Sequence, residues 1–408
     1  MTNLPQGWEV KKLGEIGEIV TGSTPSKSNL DFYGKDYPFF KPSDFEQGYF
    51  LENAGDNLSK LGFDKARQLP PKTILVVCIG SLGKVALTRV IGSCNQQINA
   101  IIPHKNIIAE YIYYYCISSK FQSILFSKAP QTTLAILNKT EFSKLEIIYP
   151  KDIKEQERIV GILDESFAKI DESIKILEQN LLNLDELMQS ALQKAFNPLK
   201  DNAKENYKLP QGWEWKNLGE IANTSSGGTP SRNKKEYWEN GNIKWLKSGE
   251  LNDGYIDFIE ENITEEAIKN SSAKIFQKGT LLIAMYGATA GKLGILNLDS
   301  TTNQAICAFL HKDKNIKFLE KFLFYFLFFL RDKIIKDSFG GAQPNINQTY
   351  IKNLQIPLPP IKEQEQIASH LDELSSHVKN LKQNYQAQIK NLQELKNSLL
   401  DKAFKGRL

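Results

Sequence analysis

An internal duplication constrains the fold of this chain more than any other feature. A charged segment that begins Lys-Glu-Gln-Glu at residue 154 begins again with the same four residues at residue 362. Each copy ends on Lys-Ala-Phe, at residues 194–196 and 402–404. The copies keep an offset of about 208 residues, and each is the tail of a larger repeated stretch. Because 408 residues are also too many for one ordinary core, the pattern predicts two copies of one structural unit.

The larger repeat begins with Leu-Pro-Gln-Gly-Trp-Glu at residues 4 and 209. In each copy an apolar, β-branched run that ends at glycine, 73–80 or 280–287, is typical of a buried strand. We therefore predict an α+β fold with two similar domains, each followed by a long helix. The predicted boundaries are a first domain at 1–150, a first helix at 151–197, a linker at 198–208, a second domain at 209–359 and a second helix at 360–408.

Both helices carry an apolar stripe with steps of three and four residues, which is the heptad pattern of a coiled coil. In the second helix the steps slip between Tyr385 and Ile389, which predicts a stutter there. The alternative is two independent surface helices. The predicted seam consists of Phe167, Ile170, Ile174, Leu177, Leu181, Leu184, Leu374, Val378, Leu381, Tyr385, Ile389 and Leu392.

The short connection after the first helix predicts the direction of pairing. At 1.5 Å per residue that helix is roughly 60 Å long, whereas the linker of about 11 residues spans at most about 40 Å. A parallel pair would require the linker to return along the whole helix, so the antiparallel arrangement is favoured. We then expect the two domains to be related by a pseudo-two-fold rotation, which suits two half-sites on one face of a DNA duplex.

The composition is that of a soluble globular protein, with 41% hydrophobic and 24% charged residues. The four cysteines form no C-x-x-C pair and the first residues contain no apolar signal core, so we expect the cytoplasm. An apolar stretch at 318–330 contains Glu320 and Lys321, and it falls short of the roughly 20 residues that a membrane span needs. A buried helix is therefore the favoured interpretation.

The motifs of common catalytic sites are missing from the sequence. The stretches 80–84 and 287–292 resemble a phosphate-binding loop, but their spacing is wrong, and Val85 and Leu293 stand where a Mg²⁺-binding Ser or Thr is needed. The four histidines have no partners at metal-ligand spacing, and no Asn-Pro-Pro-aromatic motif for amino-group methylation is present. We predict a protein without a catalytic or metal site, which specifies a target for others.

Polar loops recur at matching places in both copies. A Thr-Pro-Ser loop at 24–26 and 229–231 is followed by a short strand that ends in Lys and Ser. Later loops are rich in Gln and Asn, which can form two hydrogen bonds with the edge of an adenine. Such loops bind phosphates or base edges, or are simply surface turns, and the sequence leaves both readings open. The net charge of +4 permits DNA binding without requiring it.

The doubled order of the Leu-Pro-x-Gly-Trp opening, the Thr-Pro-Ser loop, the Lys-Glu-Gln-Glu-x-Ile helix start and the Ala-Phe helix end resembles the specificity subunits of Type I restriction–modification systems. The resemblance covers essentially the whole chain. It implies two target recognition domains that each read one half of a split DNA sequence. It also implies that the helices separate these domains and dock the methyltransferase subunits.

The resemblance further implies which partners and cofactors to expect. The partners are double-stranded DNA, two methyltransferase subunits and restriction subunits that translocate DNA. S-adenosylmethionine, ATP and Mg²⁺ are expected in those partner subunits and none of them in this chain. One departure is Asn-Pro-Leu after the first helix, where the second copy has Lys-Gly-Arg-Leu, so partner docking at this end need not be symmetric.

On this reading we assign candidate DNA contacts by chemistry. Lysines that hold phosphates position the protein without specifying a sequence; they are Lys41, Lys84, Lys247 and Lys292. In the first domain, base reading is assigned to Thr24, Ser26, Ser43, Gln97 and Asn138. In the second domain it is assigned to Ser231, Ser248, Gln304, Gln343, Asn345 and Asn347, with Thr229 and Asn303 as further DNA-binding candidates.

Two functions from other classes remain as alternatives. One is a coiled-coil adaptor whose two domains bind proteins rather than DNA. The other is a self-contained restriction and methylation enzyme, which the missing motifs oppose. A neighbouring gene for an adenine methyltransferase would argue against the adaptor.

Overall fold

A computed structural model describes residues 4–129, 135–196, 209–312, 317–338 and 345–408. The chain forms two compact units. Unit 1 consists of Met1–Gln179 together with Tyr385–Leu408, and unit 2 is the continuous stretch Asn180–Asn384. Each unit therefore combines one α+β domain with part of each long helix.

Unit 1 contains one larger and two smaller sheets, built from short strands. The strands are β1 (Trp8–Lys12), β2 (Gly17–Thr21), β3 (Tyr33–Phe40), β4 (Phe50–Leu51), β5 (Asp56–Leu58), β6 (Ile74–Val77), β7 (Val85–Thr88), β8 (Ser93–Cys94), β9 (Ile98–Pro103) and β10 (Glu146–Pro150). The helices are α1 (Leu13–Ile16), α2 (Lys60–Lys65), α3 (Ala109–Ile117), α4 (Ser119–Lys128), α5 (Lys139–Ser143) and the start of α6 (Ile153–Phe196), with 3₁₀ turns at Leu30–Phe32 and Pro42–Gln47.

The central sheet of unit 1 has the strand order β2-β9-β6-β7-β4. All four residues of β6 are buried, because this strand lies in the middle of the sheet and its alternate residues enter two apolar clusters, Ile74 and Val76 one and Leu75 and Val77 the other. The apolar run at 73–80 thus forms the buried strand that its composition predicts. Smaller sheets pair β3 with β5 and β8, and β1 with β10.

Unit 2 repeats this arrangement. Its strands are β11 (Glu214–Asn217), β12 (Ala222–Ser226), β13 (Ile243–Leu246), β14 (Gly254–Ile256), β15 (Asn262–Ile263), β16 (Ile275–Phe276), β17 (Leu281–Ala284), β18 (Leu293–Leu296), β19 (Ser300–Thr302), β20 (Ile306–His311) and β21 (Gln355–Leu358). Its helices are α7 (Leu218–Ile221), α8 (Glu265–Lys269), α9 (Glu320–Lys336), α10 (Gln348–Asn353) and the start of α11 (Ile361–Ala403), with 3₁₀ turns at Lys235–Tyr237 and Ser248–Glu250.

The central sheet of unit 2 has the order β12-β20-β17-β18-β14, so each strand occupies the place of its repeat partner in unit 1. Flanking sheets are β15-β13-β19-β16 and β11-β21. The predicted duplication is therefore confirmed as two domains with one topology.

The apolar stretch at 318–330 lies mainly in α9, a helix of 17 residues. Phe322, Leu323 and Leu327 are buried in the core of unit 2, so the predicted buried helix is confirmed. Across the part of the chain that the structure describes, we find no helix that is both long and apolar enough for a membrane span.

The long helices α6 and α11 contain 44 and 43 residues. In unit 1 the first part of α6 pairs with the last part of α11 through an ion pair between Asp171 and Lys396. In unit 2 the last part of α6 pairs with the first part of α11 through Asp185 and Lys382. Both pairings require antiparallel helices, which confirms the predicted direction.

The residues of the predicted seam differ in how far they are covered. Ile170, Leu184 and Val378 are buried, and all but one of the other seam residues are half-buried, as expected where only two helices cover each other. Leu381 is the exception, because its side chain is 40% exposed. From Leu381 to Tyr385 and on to Ile389 the apolar residues are spaced by four, and two such steps in succession rotate the apolar stripe around α11. The neighbouring Lys382 forms an ion pair with Asp185 of α6.

The Ala-Phe ends of the long helices are core residues. Phe404 is buried in unit 1, with its ring 5.5 Å from that of Tyr111 and 5.0 Å from that of Tyr115. Phe196 is buried in unit 2 against Phe322 at 5.3 Å. Each domain therefore takes part of its core from the end of the long helix that follows the other domain in sequence.

Candidate nucleic-acid interface

Five loops of unit 1 meet at one edge of its sheets. The loop after β2 is joined to the loop after β8 by the hydrogen bond from Ser23 N to Cys94 O (3.0 Å). Asn95 N in turn donates to Phe40 O at the end of β3 (3.1 Å). A Cβ on Gly22 would lie 2.2 Å from Asn95 O, so only glycine permits this close approach.

The remaining loops of this edge follow β6 and precede α5. Cys78 N donates to Gln97 O (2.8 Å), and Leu137 N donates to Cys78 O (2.9 Å). We name the set of loops 22–28, 41–47, 78–84, 94–97 and 135–138 the loop edge of unit 1.

Unit 2 builds the same edge with equivalent bonds. Gly228 N donates to Thr302 O (2.9 Å), Asn303 N to Leu246 O (2.9 Å), and Met285 N to Ala305 O (2.7 Å). Ile346 N donates to Met285 O (2.7 Å), which adds the segment before α10. The loop edge of unit 2 is thus formed by loops 227–234, 247–250, 285–291, 303–305 and 345–347.

The threonines of the two Thr-Pro-Ser loops make the same contact. Thr24 Oγ1 donates to Gln96 Oε1 and Thr229 Oγ1 donates to Gln304 Oε1, both at 2.5 Å. The sequence-based assignment missed Gln96, because it gave base reading to the neighbouring Gln97. The frame of backbone bonds matches Asn95 with Asn303, and therefore Gln96 with Gln304.

The predicted reader Gln97 instead makes contacts within its own loop edge. Its Oε1 accepts a hydrogen bond from Asn95 Nδ2 (2.8 Å), and its Nε2 donates to Ile79 O (3.4 Å). The equivalent position in unit 2 is Ala305, which has no amide, and Asn303 Oδ1 is buried without a hydrogen-bond partner among the described residues. A base-reading role for Gln97 would compete with these loop contacts.

All four predicted phosphate-binding lysines form ion pairs. Lys41 pairs with Asp56, and Lys84 lies 3.7 Å from Glu46. In unit 2, Lys247 Nζ lies 2.8 Å from Glu261, and that hydrogen bond raises the pKa of the lysine. A phosphate would therefore have to compete with a carboxylate at each of these ammonium groups.

Lys292 belongs to a cluster around Asp253, whose carboxylate it approaches at 3.0 Å. Burial alone would raise the pKa of Asp253. The hydrogen bond from Leu293 N and the contacts from Arg331 and Lys292 outweigh burial and lower that pKa. Lys292 therefore has a structural partner as well as its predicted role as a phosphate contact.

Several other candidates already form hydrogen bonds with nearby residues of the chain. Asn138 Oδ1 accepts from Glu141 N (2.9 Å) and caps α5, and Asn347 Oδ1 accepts from Tyr350 N (2.8 Å) and caps α10. Ser26 bonds Ser28 (2.7 Å). The other predicted contacts lie on the loop edges as follows: Ser43 in a 3₁₀ turn, Ser248 in the equivalent turn, Ser231 beside Trp238, and Asn345 bridged to Tyr286. The candidate Gln343 lies outside the described residues.

Arg232 is a basic residue of the loop edge that the sequence reasoning missed. Its guanidinium lies 3.7 Å from the ring centroid of Trp238 and 4.8 Å from that of Trp245. Its Nη1 also donates to Glu261 (2.6 Å). The sequence did contain a signal for Arg232: a basic residue directly follows Thr-Pro-Ser in both copies, and in unit 1 that residue is Lys27.

The cysteines are buried thiols. Burial raises the pKa of Cys78, Cys94 and Cys307 to about 12, so these thiols are protonated at neutral pH. Among the residues that the structure describes, no group of three or more His, Cys, Asp or Glu is arranged to hold a metal ion.

The helix pair carries exposed apolar residues at equivalent positions. Leu187 of α6 is 48% exposed in unit 2, and Leu395 of α11 is 45% exposed in unit 1. In unit 2 a groove of about 600 Å³ lies between the helices and is lined by Leu187, Ala191, Ile367 and Leu374, among others. A second groove in unit 1, of about 450 Å³, is lined by Ile176 and Leu392.

Two domains of one topology, each with an equivalent loop edge, and two antiparallel helices define a duplicated two-site protein. The profile of the family described as "Type I restriction modification DNA specificity domain" matches residues 5–182 and 210–391. The chain belongs to this family.

Curated relatives are specificity subunits of Type I restriction enzymes. The MjaIX subunit of Methanocaldococcus jannaschii is 26% identical over 419 residues, covering 99% of this chain and 94% of that subunit. The HindI subunit of Haemophilus influenzae is 37% identical over 191 residues, covering 45% of this chain and 42% of that subunit.

Solved structures share the fold over the whole chain. One chain, from a study of complex assembly and conformational transition of the type I R-M system, matches with a TM-score of 0.81 at 22% identity and full coverage of both chains. The HsdS subunit from Thermoanaerobacter tengcongensis matches with a TM-score of 0.61 at 22% identity, over 99% of this chain and 98% of that chain.

Proposed function

We propose that this chain reads the DNA target of a Type I restriction–modification complex, with each loop edge binding one half of a bipartite sequence. The observation that carries the proposal is the doubled loop edge, in which one frame of backbone bonds presents different side chains. Gln97 in unit 1 is matched by Ala305 in unit 2, for example. Readers of two different half-sites require such a constant frame with variable contacts.

The basic residues of the loop edges supply the part of binding that is independent of sequence. Lys27, Lys41 and Lys84 serve unit 1, and Arg232 and Lys247 serve unit 2. Several of these are held by carboxylates, which keeps each edge close to neutral in the free protein. Phosphates then replace carboxylates, and binding weakens as salt concentration rises.

The helix pair docks two methyltransferase subunits. Leu187 and Leu395 support this role, because each unit exposes a large apolar side chain at the equivalent place beside the helix pair. Those subunits supply S-adenosylmethionine and the adenine methylation, and restriction subunits supply ATP- and Mg²⁺-dependent translocation and cleavage. This chain contributes recognition, and the chemistry lies in the partner subunits.

Docking is tested with the purified complex by native mass spectrometry. Leu187→Asp and Leu395→Asp should each remove one methyltransferase subunit, because a buried aspartate at an apolar contact is strongly disfavoured. Leu182→Asp is the matched control, since Leu182 is 58% exposed on another face of α6. Two bound subunits in both test variants would contradict the docking surface.

Recognition is tested by methylome sequencing of the host with and without this gene. The proposal predicts a bipartite methylated motif that disappears when the gene is deleted. If no methylated motif depends on the gene, and if the chain with its methyltransferase partner shifts no duplex, the coiled-coil adaptor is favoured instead.

A further inference from the structure

The same side-chain hydrogen bond is built once in each loop edge. Thr24 holds Gln96 in unit 1, and Thr229 holds Gln304 in unit 2, with both oxygen–oxygen distances at 2.5 Å. Both glutamines are exposed, although each directly follows a residue that is bonded to the end of a neighbouring strand. The pair therefore presents an amide to solvent from a fixed backbone position.

Closing the loop does not require this contact. The backbone bond from Ser23 N to Cys94 O already joins the two loops in unit 1, and Gly228 N to Thr302 O joins them in unit 2. The neighbouring side chains also differ between the units, with Gln97 opposite Ala305. The Thr–Gln pair is thus retained where its immediate surroundings change.

The hydrogen bond determines which way the amide faces. Because the threonine hydroxyl donates to Oε1, that oxygen keeps one free lone pair. Among the residues that the structure describes, neither Nε2 has a hydrogen-bond partner, so its N–H groups are available. In the major groove an adenine presents the N6 donor beside the N7 acceptor. One acceptor beside one donor on the amide is complementary to this pattern, whereas guanine presents two acceptors.

We propose that Gln96 and Gln304 each read one adenine, one in each half of the DNA target, and that Thr24 and Thr229 are positioning residues that hold the reading amide. The inference rests on the proposed function of the loop edges. It makes Gln96, rather than Gln97, the counterpart of Gln304.

The test uses the full chain in complex with its methyltransferase subunit, with methylome sequencing of cells that carry each variant. Gln96→Glu and Gln304→Glu keep the shape and the threonine contact but replace the N–H donor by an acceptor. Each should abolish the requirement for adenine at one position of one half-site and permit cytosine, whose N4 group donates. The other half-site in the same experiment is an internal control.

Binding to synthetic duplexes measures the size of the effect. For the wild-type complex, replacing the proposed adenine should weaken binding by roughly 5-fold to 150-fold, the range of one bidentate base contact. That discrimination should vanish in the glutamate variants and fall partly in Thr24→Val and Thr229→Val, in which the amide is free to rotate. Thermal unfolding should change little, because Gln96, Thr229 and Gln304 are exposed and Thr24 is only half-buried.

Gln277→Glu is a matched control of the same chemistry. Gln277 is exposed in unit 2 and precedes β17 at the end opposite the loop edge. It should leave both half-sites unchanged. An unchanged motif in both Gln96→Glu and Gln304→Glu, or an equal loss of binding to all sequences, would overturn the inference. A wild-type complex that methylates no bipartite site would instead refute the proposed function.

Discussion

Each domain takes part of its core from the end of a long helix that is distant in sequence, and Phe404 allows the stability that this contact contributes to be predicted. Its side chain is 5% exposed and packs edge-on against Tyr111 and Tyr115 in unit 1. Truncating a buried phenylalanine to alanine costs about 3–5 kcal/mol, and each aromatic pair accounts for about 0.5–1.5 kcal/mol beyond the buried area. We therefore expect Phe404→Ala to destabilise unit 1 by about 3–5 kcal/mol.

Hydrogen exchange measured by mass spectrometry reports this loss strand by strand. Amides of β6 in unit 1 should exchange about a hundredfold to a few thousandfold faster, since 1.4 kcal/mol corresponds to a factor of ten. Amides of β17 in unit 2 should keep their protection. Phe196→Ala, at a side chain that is 4% exposed in unit 2, should give the reverse pattern.

A control on the same helix separates anchoring from general weakening of the helix. Leu395→Ala removes an exposed side chain of α11 and should change exchange little. Unchanged protection of β6 in Phe404→Ala would refute the reasoning. An equal rise in β6 and β17 would also refute it, because the anchor would then stabilise the chain as a whole rather than unit 1.

Three further predictions concern caps, acid stability and helix length. Asn138→Ala and Asn347→Ala should each cost about 1 kcal/mol through loss of a helix cap, measured by urea unfolding; no change in either would contradict the capping role. The pKa of Asp253 is lowered in the folded state, so its contribution is present above the ordinary value of 3.8 and is lost as pH falls through the lowered pKa. Below about pH 4, wild type should therefore lose more stability than Asp253→Asn, measured by tryptophan fluorescence, since four of the five tryptophans lie in unit 2; parallel pH profiles would argue against it. Deleting one heptad from both long helices should shorten the gap between the methylated half-sites without changing the bases read, and altered bases with an unaltered gap would exclude the helices as a spacer.

The repetitive features of the fold were predictable from the sequence. Heptad spacing and a linker too short to return along the helix predicted the antiparallel pair, and the run at 73–80 predicted the buried strand β6. These features depend on periodicity and chain length, which a sequence displays directly. Leu381, assigned to the seam, is 40% exposed, and the neighbouring Lys382 pairs with Asp185 of α6. Heptad spacing close to a predicted slip does not decide which of two adjacent residues faces the partner helix.

The loop edges were harder to predict because they depend on contacts between distant parts of the chain. Gln97 was assigned in place of Gln96, since the two adjacent glutamines have the same chemistry; the backbone bonds of Asn95 and Asn303 identify Gln96 as the counterpart of Gln304. The ion pairs of the four candidate lysines join residues up to 39 positions apart. The role of Phe404 as an anchor likewise needs a partner about 290 residues earlier in the chain, which heptad spacing does not reveal.

The central claim is that each domain reads its own half of the target, and a domain exchange tests it most directly. Residues 209–359 are replaced by the second domain of another member of the family, and the methylome of the host is sequenced with each chain. We predict that one half of the methylated motif changes, while the other half and the gap between them stay the same. A change in both halves, or in neither, would contradict the account.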